Sequence, residues 1–361
     1  MIPVQRASPA AWFWKPTSHS PAMYENPLLQ RFTAMRRLLL LLLFFLPLAA
    51  VAGDAAFVAS PAVVELVNPP RHAPGDWHER SGAVSLNQDW EKNGEGKWYV
   101  ELQRDGGRWV EAGVAHRNRD AIEWGLKQLQ WGFAQMKPDG SFDCDDAFHS
   151  ASFLIETASR SILLIESSAY AEELKTQVAN LKPPLLKGAL WMISPANFRA
   201  VENQRIYGHR RFLVGCGLLQ TGIIHGHAEL MQVARYFIED GIRLQRADGA
   251  FPEKGGHDSS YHTVSLIYLQ RILLTAPEDL RGPAWKQAAE RGIQWLMGRI
   301  EKDGRVRVDG NTRTGSGQET GRTGAIKNVN LPEVATALLY HGFITGEAAS
   351  LDLARKVLTK R

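Results

Sequence analysis

A chain of 361 residues with 44% hydrophobic content is long enough for one large domain or two modest ones, and too apolar to be disordered overall. Its formal charge of +4 and pI near 9.0 lean mildly toward an anionic partner. Two cysteines and eleven histidines in no zinc-like spacing, no glycine-rich phosphate loop after a strand, and scattered rather than striped basic residues argue against a metal site, a nucleotide cofactor and nucleic acid.

The first recognisable element is MRRLLLLLLFFLPLAAVAG at 35–53, where two arginines precede an apolar run from Leu38 to about Leu48 and the small residues Ala50-Val51-Ala52. This pattern predicts a secretory signal peptide over 35–52, and hence a periplasmic or secreted protein with no stable membrane span after cleavage. Residues 1–34 precede it in an unnatural position and are expected to be a gene-start artefact or a disordered extension, with translation starting at Met35. Export makes the compartment oxidising, so Cys144 and Cys216 could pair, and a buried free thiol is the equal alternative for Cys216 in FLVGCGLL.

Residues 53–115 read as an N-terminal arm. KWYVELQRDGGRWVEAGV (97–114) alternates around Asp105-Gly106-Gly107 and predicts a short β-hairpin or extended segment. A helical domain is expected over 116–361. Apolar periodicity predicts helices at about 120–136, 149–168, 171–181, 185–194, 197–204, 209–224, 227–244, 260–274, 284–300 and 330–358, the last broken near Gly346. Three stretches rhyme: 125–142, 241–251 and 292–306 each run from a glycine through a helix to an Asp-Gly turn, and each is followed by another apolar helix. Repeats of helix, Asp-Gly turn, helix predict an all-α fold of hairpins packed around an axis, an incomplete (α/α) toroid of about four to five hairpins with a cavity at one end.

Chemistry concentrates between Gly208 and His262. Two helices flank the loop RADGAFPEKGGHDSS and could bring His209, Lys254, His257, Tyr261 and His262 to one mouth, with Arg210, Arg211 and Glu253 beside them. Asp258 reads better as the N-cap of the following helix than as a catalytic group. A second cluster, Asp143 to His149, opens another inner helix, so Asp146 and His149 are candidate sugar ligands, although acids at a helix start also complement its dipole. The polar loop 309–330 is too long for an idle connector, and Arg313, Glu319, Arg322 and Lys327 could line a groove for an anionic chain.

These residues resemble the α/α-toroid polysaccharide lyases, in particular the alginate-lyase-like family. His209 in YGHRRFL, Asp248-Gly249-Ala250-Phe251-Pro252, and Tyr261-His262 match the family's inner-helix histidine, its Asp-Gly turn and its Tyr-His pair. The family's carboxylate-neutralising asparagine is replaced here by Gly208, and its arginine position falls on Lys254 or a shifted residue of a shorter loop. The resemblance implies β-elimination from a uronic-acid-containing polysaccharide, without metal or cofactor. His209 or Tyr261 would be the base, Tyr261 the acid, and Lys254, Arg210 or Arg211 would damp the substrate carboxylate. His262, His257, Glu253, Asp146, His149 and Arg322 would support binding. A toroidal glycoside hydrolase using Asp146 and Glu253, and a non-catalytic carbohydrate-binding protein, are the competing readings.

Overall fold

The computed structural model describes residues 52–67, 81–201, 204–321 and 324–360, all within one compact unit that spans 48–361. The predicted signal peptide, except for Ala52, and the candidate ligand Arg322 lie outside the described residues. Fourteen α-helices are described: α1 Ala52–Val58, α2 Pro61–Leu66, α3 Leu86–Asn93, α4 Asp105–Ala115, α5 Arg119–Ala134, α6 Ala147–Glu166, α7 Lys175–Met192, α8 Pro195–Val201, α9 Gly208–His225, α10 Ala228–Arg243, α11 Ser259–Thr275, α12 Pro283–Gly298, α13 Leu331–Thr345 and α14 Ala348–Leu358. Pairing of extended chain among the described residues is confined to isolated bridges, so the chain is all-α as expected. None of the described helices is long and apolar enough to cross a membrane.

The helices alternate between two rows. α4, α6, α9, α11 and α13 pack on one another in that order, and each packs on the helix that follows it in the hairpins α4–α5, α6–α7, α9–α10, α11–α12 and α13–α14. The sequence dictates which row a helix joins. α10 carries a single buried stripe at Leu230, Ala234, Phe237, Ile238 and Gly241, whereas α6 is buried continuously from Ser150 to Ile165. α1 touches α4, α6 and α11, and α2 touches α4 and α13, so this pair spans the two ends of the inner row. Phe57 of α1 stacks on Tyr340 of α13, with ring centroids 3.6 Å apart.

The hairpin expected over 97–114 is absent: Val100–Arg104 forms a 3₁₀ helix and Asp105–Ala115 is α4. Gly106 and Gly107 are there for close packing instead of turning. A Cβ on Gly106 would lie 2.7 Å from the Gly125 carbonyl oxygen, and one on Gly107 would lie 2.4 Å from Thr157 Cγ2. Nor does a break separate 181 from 185, because α7 runs through Pro183 and Pro184. Val178, Leu181, Leu185, Ala189 and Met192 keep one buried stripe across the prolines, and this packing overrides a local cost of about 3 kcal/mol.

The three Asp-Gly turns repeat almost atom for atom. In each, the glycine N–H donates to a carbonyl three residues back (Lys137, Arg246, Glu301), and the aspartate side chain accepts from the N–H two residues on (Ser141, Ala250, Arg305). Gly140, Gly249 and Gly304 have φ of 91°, 94° and 91°, and each abuts a carbonyl of the next outer helix. Gly249→Ala would therefore strain the backbone and push a Cβ to 2.5 Å from the Arg291 oxygen. We expect a loss of at least about 2 kcal/mol in urea denaturation. Gly255→Ala, where φ is also positive but no neighbour lies within 4 Å, should lose about 1 to 2 kcal/mol.

Candidate functional site

The N-terminal ends of α6, α9 and α11, with the loop before α13, open a cavity of about 1170 Å³. Along α6 its wall runs from His149 to Ser161, roughly 18 Å at the helical rise.

The loop 309–321 is folded back onto the loop before α11. Asp258, fully buried, caps α11 by accepting from the N–H groups of Ser260 and Tyr261, and its other oxygen accepts from the N–H groups of Arg313 and Thr314, both at 2.8 Å. This second duty of the cap brings Arg313 to the mouth.

At the mouth, His209 in the first turn of α9 bonds through Nδ1 to Glu253 Oε2 at 2.9 Å. The carboxylate is an acceptor, so Nδ1 carries the proton and Nε2 is left bare as a base. Glu253 is 1% exposed, and its other oxygen accepts from Arg313 Nη1 at 2.6 Å. Arg313 lies over the Tyr261 ring, Cζ 3.7 Å from the centroid, and the Tyr261 and His209 ring centroids are 5.0 Å apart. Lys327 Nζ lies 3.5 Å from the Tyr261 hydroxyl. Glu319 gathers the cations by accepting from Arg313 Nε at 3.0 Å, from Lys327 at 2.7 Å and from Lys254. Burial pushes the Glu319 carboxyl up, but these hydrogen bonds outweigh it and hold the pKa at about 2. Arg313, Lys327 and Lys254 stand against Glu253 and Glu319, so the cluster keeps one net positive charge.

His209, Arg210, Tyr261, Asp146 and His149 all line the cavity. Arg210 pairs with Asp146 at 2.8 Å and lies over the Tyr207 ring. Asp146 adopts a left-handed φ of 45°, one of four such non-glycine positions among the described residues, and Lys254 at 48° is another. His149 has its Nδ1 sealed from solvent without a partner. Burial, then the neighbouring positive charges led by Arg210, push its pKa well below the usual histidine value, so it is neutral.

Four other candidates sit apart from the cavity. Lys254 reaches Glu319 from outside, and His257 contacts the Asp309 carbonyl and the edge of Trp295. Arg211 is buried beside Asp240, Nε to Oδ2 3.1 Å, and over Phe237. His262 is buried in the wall between α11 and α12, accepting the Phe251 N–H at Nδ1 (3.0 Å) and donating from Nε2 to the Gly292 carbonyl (2.9 Å). The two thiols are both free, Cys216 fully buried and Cys144 partly so.

Burial lowers the His262 pKa from 6.5 to about 4. The unfolded chain therefore binds the proton more tightly. The contribution of neutral His262 is complete above pH 6.5 and is lost as pH falls toward 4. Between pH 7 and pH 4.5 the wild type should lose about 2 to 3 kcal/mol more than His262→Asn, read as urea midpoints at both pH values. Equal losses would overturn this assignment.

The cavity floor holds charged residues that no motif in the sequence singles out. Arg160 of α6 bonds to Asp54 of α1 (2.6 Å) and to Glu111 of α4, while Tyr340 of α13 donates to Asp54 at 2.8 Å. Arg271 of α11 bonds to Glu156 of α6 at 2.9 Å and to the Tyr340 hydroxyl at 3.2 Å. The signal that points to them is Glu156 and Arg160 standing inside the otherwise uncharged run FLIETASRSILLI, where charges survive only if paired.

Fold and site together define an all-α protein of paired helices whose inner row opens one deep, polar, histidine- and arginine-lined cavity. No protein-family model and no curated protein sequence matches this chain. Among the described residues no cluster of three His, Cys, Asp or Glu side chains is arranged to hold a metal ion.

Proposed function

We propose that the chain is an exported, metal-independent polysaccharide lyase of the α/α-toroid type, cleaving an acidic, uronic-acid-containing polymer by β-elimination. Five successive hairpins, with α1 and α2 spanning the ends of the inner row, support an incomplete toroid. The leader at 35–52 supports export to the periplasm or beyond. The observation that carries the reading is the Glu253–His209 pair facing Tyr261, whose ring and hydroxyl are held by Arg313 and Lys327.

In this reading Arg313 and Lys327 lower the charge of the substrate carboxylate, which makes the adjacent C5 proton removable. His209 Nε2 takes that proton, the C5–H electron pair becomes the C4–C5 double bond, and the C4–O4 bond breaks. The Tyr261 hydroxyl protonates O4, and Lys327 faces the negative charge left on the phenol oxygen. Arg210 supports the rim through Asp146. The carboxylate-damping roles expected of Lys254 and Arg211 pass to Lys327 and Arg313, which reach the phenol. A hydrolase reading is disfavoured because both oxygens of buried Glu253 are engaged, one by the His209 N–H and the other by Arg313. The test is a screen of purified mature protein against acidic polysaccharides. New ultraviolet absorbance from a conjugated double bond supports elimination, new reducing ends without it indicate hydrolysis, and binding without cleavage indicates a carbohydrate-binding role.

A further inference from the structure

Nearly every cation lining the cavity has a carboxylate beside it: Arg160, Arg210, Arg271, Arg313 and Lys327 are all in ion pairs of 3.0 Å or less, and Arg108 approaches Asp105 and Glu333 at 3.9 Å. Arg104 is the exception. It lines the cavity from the 3₁₀ helix, and among the described residues no carboxylate lies within ion-pair distance of it. Its guanidinium lies over the Phe153 ring, Cζ 4.4 Å from the centroid. That contact seats the group against the ring, and among the described residues no hydrogen bond engages its N–H groups, which can receive a planar carboxylate.

A second group flanks the same ring. The His149 ring centroid is 4.8 Å from that of Phe153 and 6.1 Å from that of His209. The sealed, partnerless Nδ1 of His149 settles its tautomer, because a buried N–H without an acceptor costs more than a bare nitrogen with a spare lone pair. The proton of this neutral imidazole is therefore on Nε2, which makes His149 a neutral donor in the cavity wall.

We infer that Arg104 and His149 form a carboxylate-binding subsite beside the cleavage point, so that the enzyme selects polymers carrying carboxylates on more than one sugar of the bound stretch. This inference rests on the lyase reading. Arg104 grips the acid group through its free N–H groups, and His149 donates one neutral hydrogen bond beside it. Such a site rewards runs of uronic acid and gives nothing to a sugar whose carboxyl is reduced to an alcohol.

The test is calorimetric, so it does not depend on turnover. Full-length mature protein carrying Tyr261→Phe is titrated with trisaccharides from alginate, pectate and glucuronan, each beside its carboxyl-reduced counterpart. The same titrations are repeated with Arg104→Gln and Arg104→Lys added to Tyr261→Phe. Arg104→Gln is expected to weaken the best uronate trisaccharide about 10- to 100-fold and leave its reduced counterpart unchanged, and Arg104→Lys to recover part of the loss. Unchanged uronate binding, or equal weakening of uronate and reduced forms, would overturn the subsite and leave the lyase proposal standing. Failure of every trisaccharide to bind the Tyr261→Phe protein itself would overturn both.

Discussion

Tyr261→Phe is expected to lower turnover of a uronic-acid polymer about 10²- to 10⁴-fold, the usual contribution of a positioned general acid, while KM changes little. The substitution removes one oxygen. The ring stays packed between His209 and Arg313, and the backbone is still held by the Asp258 cap. His209→Ala should cost as much through loss of the base, but it also removes the hydrogen bond to one oxygen of buried Glu253 and leaves Arg313 on the other, so its effect on stability has to be measured beside its effect on rate. Steady-state kinetics with thermal melts of both variants check this. Full turnover by Tyr261→Phe would remove the phenol from the mechanism.

Arg160→Met should destabilise the fold by about 3 to 5 kcal/mol, the usual cost of leaving a buried charge without its partner. Arg160 is 5% exposed and is the shared partner of Asp54 and Glu111. Methionine fills much of the same volume, so the loss comes from two carboxylates that lose their shared cation, while the Tyr340 hydroxyl still donates to Asp54. Because the three partners come from α1, α4 and α13, the loss should be cooperative, a lower urea midpoint with an unchanged slope. Arg108→Met is the contrasting exchange. It removes two half-exposed contacts of 3.9 Å and should move stability by less than about 1 kcal/mol. A similar small change for Arg160→Met would show that the floor network contributes little.

Much of this molecule is legible in its sequence wherever a local signal and its long-range consequence agree. The Asp-Gly turns at 139, 248 and 303 announce themselves because an aspartate bonding two residues on and a glycine at positive φ are local devices, and packing then keeps them. Gly346 as the break between α13 and α14, and Asp258 as the cap of α11, follow from the same kind of chemistry. Reading fails where one residue type serves two purposes. Asp105-Gly106-Gly107 has the composition of a turn, yet its glycines let α4 approach α5 and α6. Pro183 and Pro184 signal a break that the buried stripe of α7 overrides.

The candidate site follows the same division. His209 and Tyr261 can be picked out because they stand at helix starts beside a glycine-rich loop, and they do share the cavity. His262 looks equivalent in sequence, but one step along an α-helix turns the side chain by about 100°, into the wall between helices. Arg313 and Lys327 are recognisable in the sequence only as members of a long polar loop. Their approach to the Tyr261 phenol depends on Asp258 accepting from residues more than fifty positions away, which no local pattern encodes.

Mass spectrometry of the oligosaccharides released from an acidic polysaccharide distinguishes elimination from hydrolysis. Elimination moves no water into the product, so each new non-reducing end carries a C4–C5 double bond and weighs one water less than its hydrolytic counterpart. The wild-type protein is expected to release this unsaturated series, and Tyr261→Phe to lose it. A saturated series would contradict elimination and point to hydrolysis, and intact polymer across the whole panel would contradict catalysis on uronic acids altogether.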